Sequence, residues 1–442
     1  MQAGITYVLT SAAEDGHCFL PQPELSERVV KQLALPEHPV DPVQVTTLIE
    51  QMVADERLIR EQGEGDLTGQ AICYTPAFYH TEQALALAAP TGRAAQRLSE
   101  MTGREAKTVH RLLAFDPKTI QFRHNETNPL PVQAIVIDEA SMLDLFLAHS
   151  LVKAIPKDAQ VLIVGDSDQL PSVGPGMVLG DLIASEQIPV VRLTEVFRQA
   201  AASHIVTNAH RINAGQFPQL TPTTKFAASD CLWLEAPEPE VGAEGIRHLV
   251  SEYLPTHGID PVTQVQVLSP TTRGEVGTRQ LNFLLQQVLN PATPQKTELA
   301  RGGTMLRVGD RVIQQVNDYQ REVFNGDLGT IARIDLEEQE VMVQFAGWSV
   351  TYDYADLSEL ALAWAITIHK AQGSEYPVVI LPVFMQHFLL LSRNLLYTGL
   401  TRAKERAILV GPTKAIGFAT RRVLDRQRYT QLAERVKRAT TP

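Results

Sequence analysis

Two adjacent carboxylates, Asp138 and Glu139, stand at the end of the run Ala134-Ile135-Val136-Ile137, which is too short for a helix and rich in β-branched residues. Such a run reads as a buried parallel strand, and ligands of open α/β sheets bind beyond the carboxyl ends of their strands. A carboxylate pair placed there suits hydrolysis of a nucleoside triphosphate, with Asp138 holding Mg²⁺ through its water shell and Glu139 orienting the attacking water. An Asp-Glu pair after a strand also serves simply to cap the next helix. A second run, Val161-Leu162-Ile163-Val164, repeats the pattern and leads into Gly165-Asp166-Ser167-Asp168-Gln169-Leu170-Pro171-Ser172-Val173-Gly174. It too is expected to be a buried parallel strand, with its Pro and Gly residues aiming Gln169 back at the first carboxylates. Residues 132–176 therefore form the stretch around which the rest is organised.

The elements that must position these groups fit a chain of 442 residues and 44% hydrophobic content, long enough for two to four domains with real cores. The net charge of −11 argues against a generally basic nucleic-acid coat, so any nucleic-acid contact needs a localised groove. Cys18, Cys73 and Cys231 are far apart and lack CxxC spacing, so neither a disulfide framework nor a zinc site is indicated, and a cytoplasmic setting is expected. The longest apolar stretch, residues 378–391, is broken by Pro382, Gln386 and His387 and falls short of a membrane span. The N-terminal stretch lacks the basic start of a signal peptide.

The segments Asp138-Glu139-Ala140-Ser141 and Gly165-Asp166-Ser167-Asp168-Gln169 resemble motifs II and III of superfamily 1 DNA helicases of the RecD-like type, the exodeoxyribonuclease V alpha-subunit family. The resemblance runs from about residue 1 to 435. It implies an α/β fold with two RecA-like parallel-sheet motor domains, a winged-helix-like N-terminal module and an SH3-like β-barrel insertion. It also implies ATP and Mg²⁺ as cofactors, and single-stranded DNA and DNA junctions as partners, in repair or recombination. The expected divisions are 1–83 for the N-terminal module, 84–200 for the first motor domain, 201–304 and 358–442 for the second, and 305–357 for the insertion.

Residues 6–13, 22–35 and 42–55 carry apolar residues at helical spacing, and Leu58-Ile59-Arg60 can pair with Ala71-Ile72-Cys73-Tyr74. Such a module either binds a duplex or packs against its neighbour. In Ala89-Pro90-Thr91-Gly92-Arg93 a strand enters a tight turn and then a helix, presenting Thr91, Arg93 and backbone amides to a phosphate. The family likeness makes this motif Ia, and makes Thr108 and His110 of Thr108-Val109-His110-Arg111 a further DNA contact. It places Arg198, after the strand-like run Val190-Val191-Arg192-Leu193, at the γ-phosphate. The Pro-rich and Thr-rich residues 217–224 read as a hinge between motor domains. Ser269, Thr271 and Thr272 offer hydroxyls either to phosphates or to a helix cap.

Residues 305–357 alternate short strands with turn signals, as a small barrel would, with Asn317, Tyr319 and Asn325 as DNA contacts implied by the likeness. Thr367, His369 and Lys370 are expected on the polar side of a helix before Gly373. Motif V of the family faces Thr367 and His369 to DNA and Gly373 and Glu375 to the nucleotide. Arg402, expected at a helix start, matches the arginine finger of motif VI. Residues 401–442 hold eleven Lys or Arg against three Asp or Glu. Such an end either touches nucleic acid or is solvated.

One expected element is missing. Cradling the β and γ phosphates takes G-x-x-x-x-G-K-[ST], and this sequence contains no Gly-Lys pair. In the resembled family that segment and its strand lie between sequences like Tyr79-His80-Thr81-Glu82-Gln83 and Leu87-Ala88-Ala89-Pro90, which here almost touch. A first motor domain without that strand is expected to expose strand edges and a core face and to hydrolyse little or no ATP. Two other readings remain: a non-catalytic single-strand-binding remnant and a protein-interaction scaffold.

Overall fold

The structure, a computed structural model, describes residues 1–14, 17–34, 40–63, 67, 69–76, 85–193, 203–318, 320–423 and 428–440. Arg198, Tyr319 and the junction at Gln83 and Ala84 lie outside the described residues. The chain divides into two compact units, the smaller comprising Met1–Ala86, Pro129–Val136 and Ile155–Leu162.

In the smaller unit the helices Gln2–Glu14, Gln22–Leu33 and Pro42–Ala54 meet through Ile5, Leu9, Leu25, Val29, Val45, Ile49 and Met52, all buried. The third helix starts where sequence chemistry says it should. Pro42 occupies a position whose N–H would be unpaired anyway, and Asp41 accepts the Val43 N–H at 2.9 Å. Ala71–Tyr74 pairs antiparallel with Ile59–Gln62 on one side and Leu20–Pro21 on the other. This is the winged-helix-like order expected.

The larger unit comprises Leu87–Asn128, Ile137–Ala154 and Ile163–Pro442. Its main sheet has six strands in the order Thr221–Pro222, Cys231–Leu234, Ala403–Val410, Tyr376–Pro382, Val265–Ser269 and Ala365–Thr367, all pairing parallel. Val265–Ser269 is buried at every position, as a strand covered on both faces must be. Thr221–Pro222 lies within the segment expected as a hinge. That segment is instead an edge of the sheet, because Asn208 fixes it through Gln219, donating to its carbonyl at 2.9 Å and accepting its N–H at 2.6 Å.

The insertion carries an antiparallel sheet in the order Ser349–Asp353, Glu340–Gln344, Leu328–Asp335, Arg311–Gln314 and Leu360–Leu362. The expected barrel is not closed, since no ladder joins the first strand to the last among the described residues. The short helical turn Tyr354–Glu359 spans the gap, and its Leu357 joins the core with Val341, Val343, Ile331 and Tyr352. Packing replaces a ladder there.

A four-stranded sheet has the order Ala106–Thr108, Leu85–Ala89, Ala134–Ile137 and Gln160–Ile163. Gln160–Ile163 is its edge, and the expectation of a buried strand fails there: Val161, Leu162 and Val164 are 46%, 56% and 43% exposed. Val190, Val191 and Leu193 form no strand and are also exposed. An apolar run is buried only if neighbours pair with it and cover it, and among the described residues this edge has a partner on one side alone.

Candidate active site

The acidic pair is held by two loops that approach closely. Past Ala134–Ile137, the Asp138 N–H donates to the Ala88 carbonyl, the Val164 N–H to that of Ile137, and the Ala140 N–H to that of Val164, all at 2.8–2.9 Å. Gly165 is required at this crossing, because a Cβ there would lie 3.0 Å from the amide nitrogens of Ala140 and Ser141. Glu139 itself adopts φ 50°, ψ 37°, a left-handed conformation costly for a side-chain-bearing residue. Its N–H donates to Asp138 Oδ1 at 2.8 Å, which ties the two carboxylates into one turn.

Glu139 Oε1 faces Arg402 Nη1 at 4.0 Å, and the arginine is only 3% exposed. Burial pushes the Glu139 carboxyl above its ordinary range, opposed by Arg402 and reinforced by Asp138 and Asp166. Folding thus favours the protonated form, and Glu139 destabilises the fold increasingly as pH rises from the ordinary carboxylate range through its raised value. Glu139→Gln is accordingly expected to be more stable than the parent at pH 7, with the difference vanishing near pH 4. Urea midpoints at the two pH values check this.

Arg402 does not start a helix. The helix Arg393–Leu400 has ended by Thr401, and Arg402 sits at the entry to the strand Ala403–Val410, donating to the Ser374 carbonyl at 3.3 Å. Its Nε is buried with no partner among the described residues, as is Oε1 of Gln169, a residue 9% exposed. The Gln169 loop is bonded to the same helix. The Tyr397 hydroxyl donates to Asp166 at 2.8 Å, and Gln169 Nε2 donates to the same oxygen at 3.3 Å. The Leu170 N–H donates to Thr398 Oγ1 and Gln372 Nε2 to the Leu170 carbonyl, both at 2.8 Å, and Asn394 donates to the Asp168 carbonyl at 2.9 Å. Asp166, Tyr397 and Thr398 were not among the expected site residues. Asp166 could have been found as the acid opening the Gln169 loop, whereas its bond to Tyr397 spans 231 positions.

Of the residues expected on DNA, Thr91 and Arg93 lie against Gly373, expected on the nucleotide, and its neighbours. Arg93 donates to Ser374 Oγ at 3.0 Å and to the Tyr376 hydroxyl at 3.4 Å, and a Cβ on Gly373 would come within 2.9 Å of Thr91 Oγ1. Glu375 pairs with Arg97 at 2.7 Å and Lys404 at 3.4 Å. Thr367, His369 and Lys370 are not on one helix. Thr367 ends a strand and caps the single turn Ile368–Ala371, because Gly373, with φ +73°, and the strand that follows leave no room for more.

Thr91, Thr108 and Thr367 share one role, each accepting a backbone N–H at the start of its helix at 3.2–3.3 Å. An accepting hydroxyl keeps its own proton, so each can still donate to a phosphate oxygen. The His110 ring lies 5.7 Å from both Phe115 and Phe122, and burial lowers its pKa, as it does that of half-buried His369. Ser269 donates to the Val276 carbonyl and Thr271 to that of Arg273, so both hold a loop while Gly277 begins the helix Thr278–Leu289. Asn317 accepts the Asn325 N–H at 2.9 Å.

The donor set fits the hydrolytic side of a triphosphate: two carboxylates, a buried guanidinium and an amide, with unpartnered polar atoms on the last two. Asp138 would hold the metal through water and Arg402 would meet phosphoryl charge. The Gly-Lys pair of the phosphate cradle is absent from the sequence.

Three family models match this chain: an AAA domain at residues 67–175, the SH3 domain of ATP-dependent RecD-like DNA helicases at 281–345, and a UvrD-like helicase C-terminal domain at 362–410. The ATP-dependent RecD2 DNA helicase of Deinococcus radiodurans is 40% identical over 351 residues, covering 79% of this chain and 46% of that protein. The RecBCD enzyme subunit RecD of Mycobacterium tuberculosis is 31% identical over 369 residues, covering 76% and 62%. The chain thus spans about half to two thirds of the length of these curated relatives. A Pif1 helicase from Bacteroides, solved with ADP-AlF3 and single-stranded DNA, aligns with a TM-score of 0.45 at 17% identity, covering 89% of this chain and 90% of that one. By its insertion domain and by these relatives in sequence, the chain belongs to the RecD-like DNA helicase family.

Proposed function

We propose that this chain is motor machinery of an ATP-dependent 5′ to 3′ DNA helicase acting in repair or recombination, impaired in ATP hydrolysis because it lacks the phosphate cradle. The observation that carries the reading is the convergence of Glu139 and Arg402 at 4.0 Å, beside a Gln169 loop bonded to the helix that leads into Arg402. Asp138 and Glu139 belong to the metal and the attacking water, and Gln169, Arg402 and Arg198 to the phosphoryl group. Thr91, Arg93, Thr108, His110, Thr367 and His369 belong to single-stranded DNA or a junction, and Gly373 and Glu375 to the nucleotide. Among the described residues no helix is long and apolar enough to cross a membrane. The three cysteines are free, and burial pushes the Cys73 and Cys231 thiols up to about 11 and about 12, which keeps them unreactive in a cytoplasmic setting.

The missing Gly-Lys pair favours a second reading, a strand-binding remnant that ignores ATP. Filter binding of single-stranded DNA at two salt concentrations, with and without ATP and Mg²⁺, separates them. The motor reading expects salt-dependent binding that ATP alters, and the remnant expects salt dependence alone. No binding at low salt would sink both.

A further inference from the structure

The loop that carries Gln169 is held from two sides, and only one belongs to the machinery described so far. Its amino-terminal half is bonded to Gln372, Asn394, Tyr397 and Thr398. Its carboxyl-terminal half contains Gly174 and Gly176. Gly174 has Asp144 so close that a Cβ would lie 2.4 Å from its carboxylate, and Gly176 has φ +93°. Glycines supply that geometry at a high cost in conformational entropy, so the segment needs an external hold.

Arg428 supplies it. One guanidinium nitrogen donates to the carbonyls of Gly174 at 2.5 Å and Gly176 at 2.7 Å and to Ser172 Oγ at 3.3 Å, and the other donates to the Ser172 carbonyl at 2.5 Å. The backbone of the loop also accepts the Leu145 N–H at the Pro175 carbonyl, 2.9 Å, and Ser172 Oγ at the Gly174 carbonyl, 3.1 Å. Two residues on, Thr430 donates to Asp181 at 2.9 Å, and the helix Leu432–Thr440 packs along Val178–Ser185. Arg428 also shares the wall of a cavity of about 570 Å³ with Gln169, Ser172, His369 and Asn394.

We propose that Arg428 is a positioning residue whose guanidinium clasps the backbone of residues 172–176 and thereby holds Gln169 toward Glu139 and Arg402. Only a planar fork of donors reaches several carbonyls at once, so lysine is a partial substitute at best. The assignment explains a basic residue that pairs with no acid among the described residues. Its importance for Gln169 rests on the motor reading, whereas the clasp itself does not.

Hydrogen exchange followed by mass spectrometry on the full chain tests this. Arg428→Ala is expected to speed exchange across residues 166–176 by about tenfold or more, while Cys231–Leu234 and Val265–Ser269 keep their protection. Added methylguanidinium is expected to restore the loop's protection, and tetramethylammonium is not. Arg428→Lys is expected to fall between parent and alanine variant, and serves alone if the alanine variant does not fold. Unchanged loop exchange overturns the proposal, as does a loss of protection spread evenly over the chain or a failure of methylguanidinium to rescue. Single-strand binding by the parent is measured alongside. Its absence defeats the motor reading while the exchange data still decide the clasp.

Discussion

Phosphate release from ATP by this chain, with Mg²⁺ and single-stranded DNA present, is expected to be at least about 1,000-fold slower than by a version carrying a Gly-x-x-x-x-Gly-Lys-Thr segment at the Gln83–Ala84 junction. A single guanidinium acting on a transferred phosphoryl is worth about 10³ to 10⁵ in rate, and the cradle supplies a lysine together with several backbone amides. Asp138, Glu139, Gln169 and Arg402 offer nothing that grips the β phosphate. A radiolabelled assay on both versions reads the ratio. Turnover at ordinary helicase rates by the chain as it stands would remove the proposed impairment. Equal slowness in both would instead remove the reading of Glu139 and Arg402 as a hydrolytic pair.

Removing Arg402 is expected to cost about 3 kcal/mol of stability, since a buried carboxylate stripped of its counter-ion is left paying for desolvation alone. The separation of 4.0 Å and the 15% exposure of the Glu139 side chain keep the figure at the lower end of that range. The sign of its pH dependence follows from the same pair. Arg402 stabilises only the ionised carboxyl, so the loss caused by Arg402→Ala grows as pH rises and Glu139 ionises, and shrinks toward pH 4. Adding Glu139→Leu to Arg402→Met is expected to recover most of the stability, because hydrophobic replacement of both members of a buried pair is close to neutral. Chemical denaturation at pH 5 and pH 8 reads all of these. An Arg402→Ala cost that does not vary with pH would show that the two groups are not coupled.

The acidic pair was legible because its signal is local: a β-branched run, then two carboxylates. Val161-Leu162-Ile163-Val164 carries the same local signal with the opposite outcome, since how many strands flank a run is decided elsewhere in the chain. Thr367 misled because a threonine caps a single turn and a long helix alike. Arg402 misled because the helix before it ends sooner than local sequence shows, with its cap at Thr401, one residue ahead of the arginine. The contacts that assemble the site lay furthest from reach. Leu170 to Thr398 spans 228 positions and Arg428 to Ser172 spans 256, and no periodicity encodes either.

The margin at Gln160–Ile163, which no described strand covers, has a practical corollary. Its residues include no lysine, proline or glycine to discourage another chain from adding on, and its backbone already has the extended form such an addition requires. In concentrated stocks, intermolecular stacking is therefore expected to begin at this rim while the six-stranded core is still intact. Turbidity will precede melting, and a charge placed at Leu162 will lengthen storage life without raising the melting temperature.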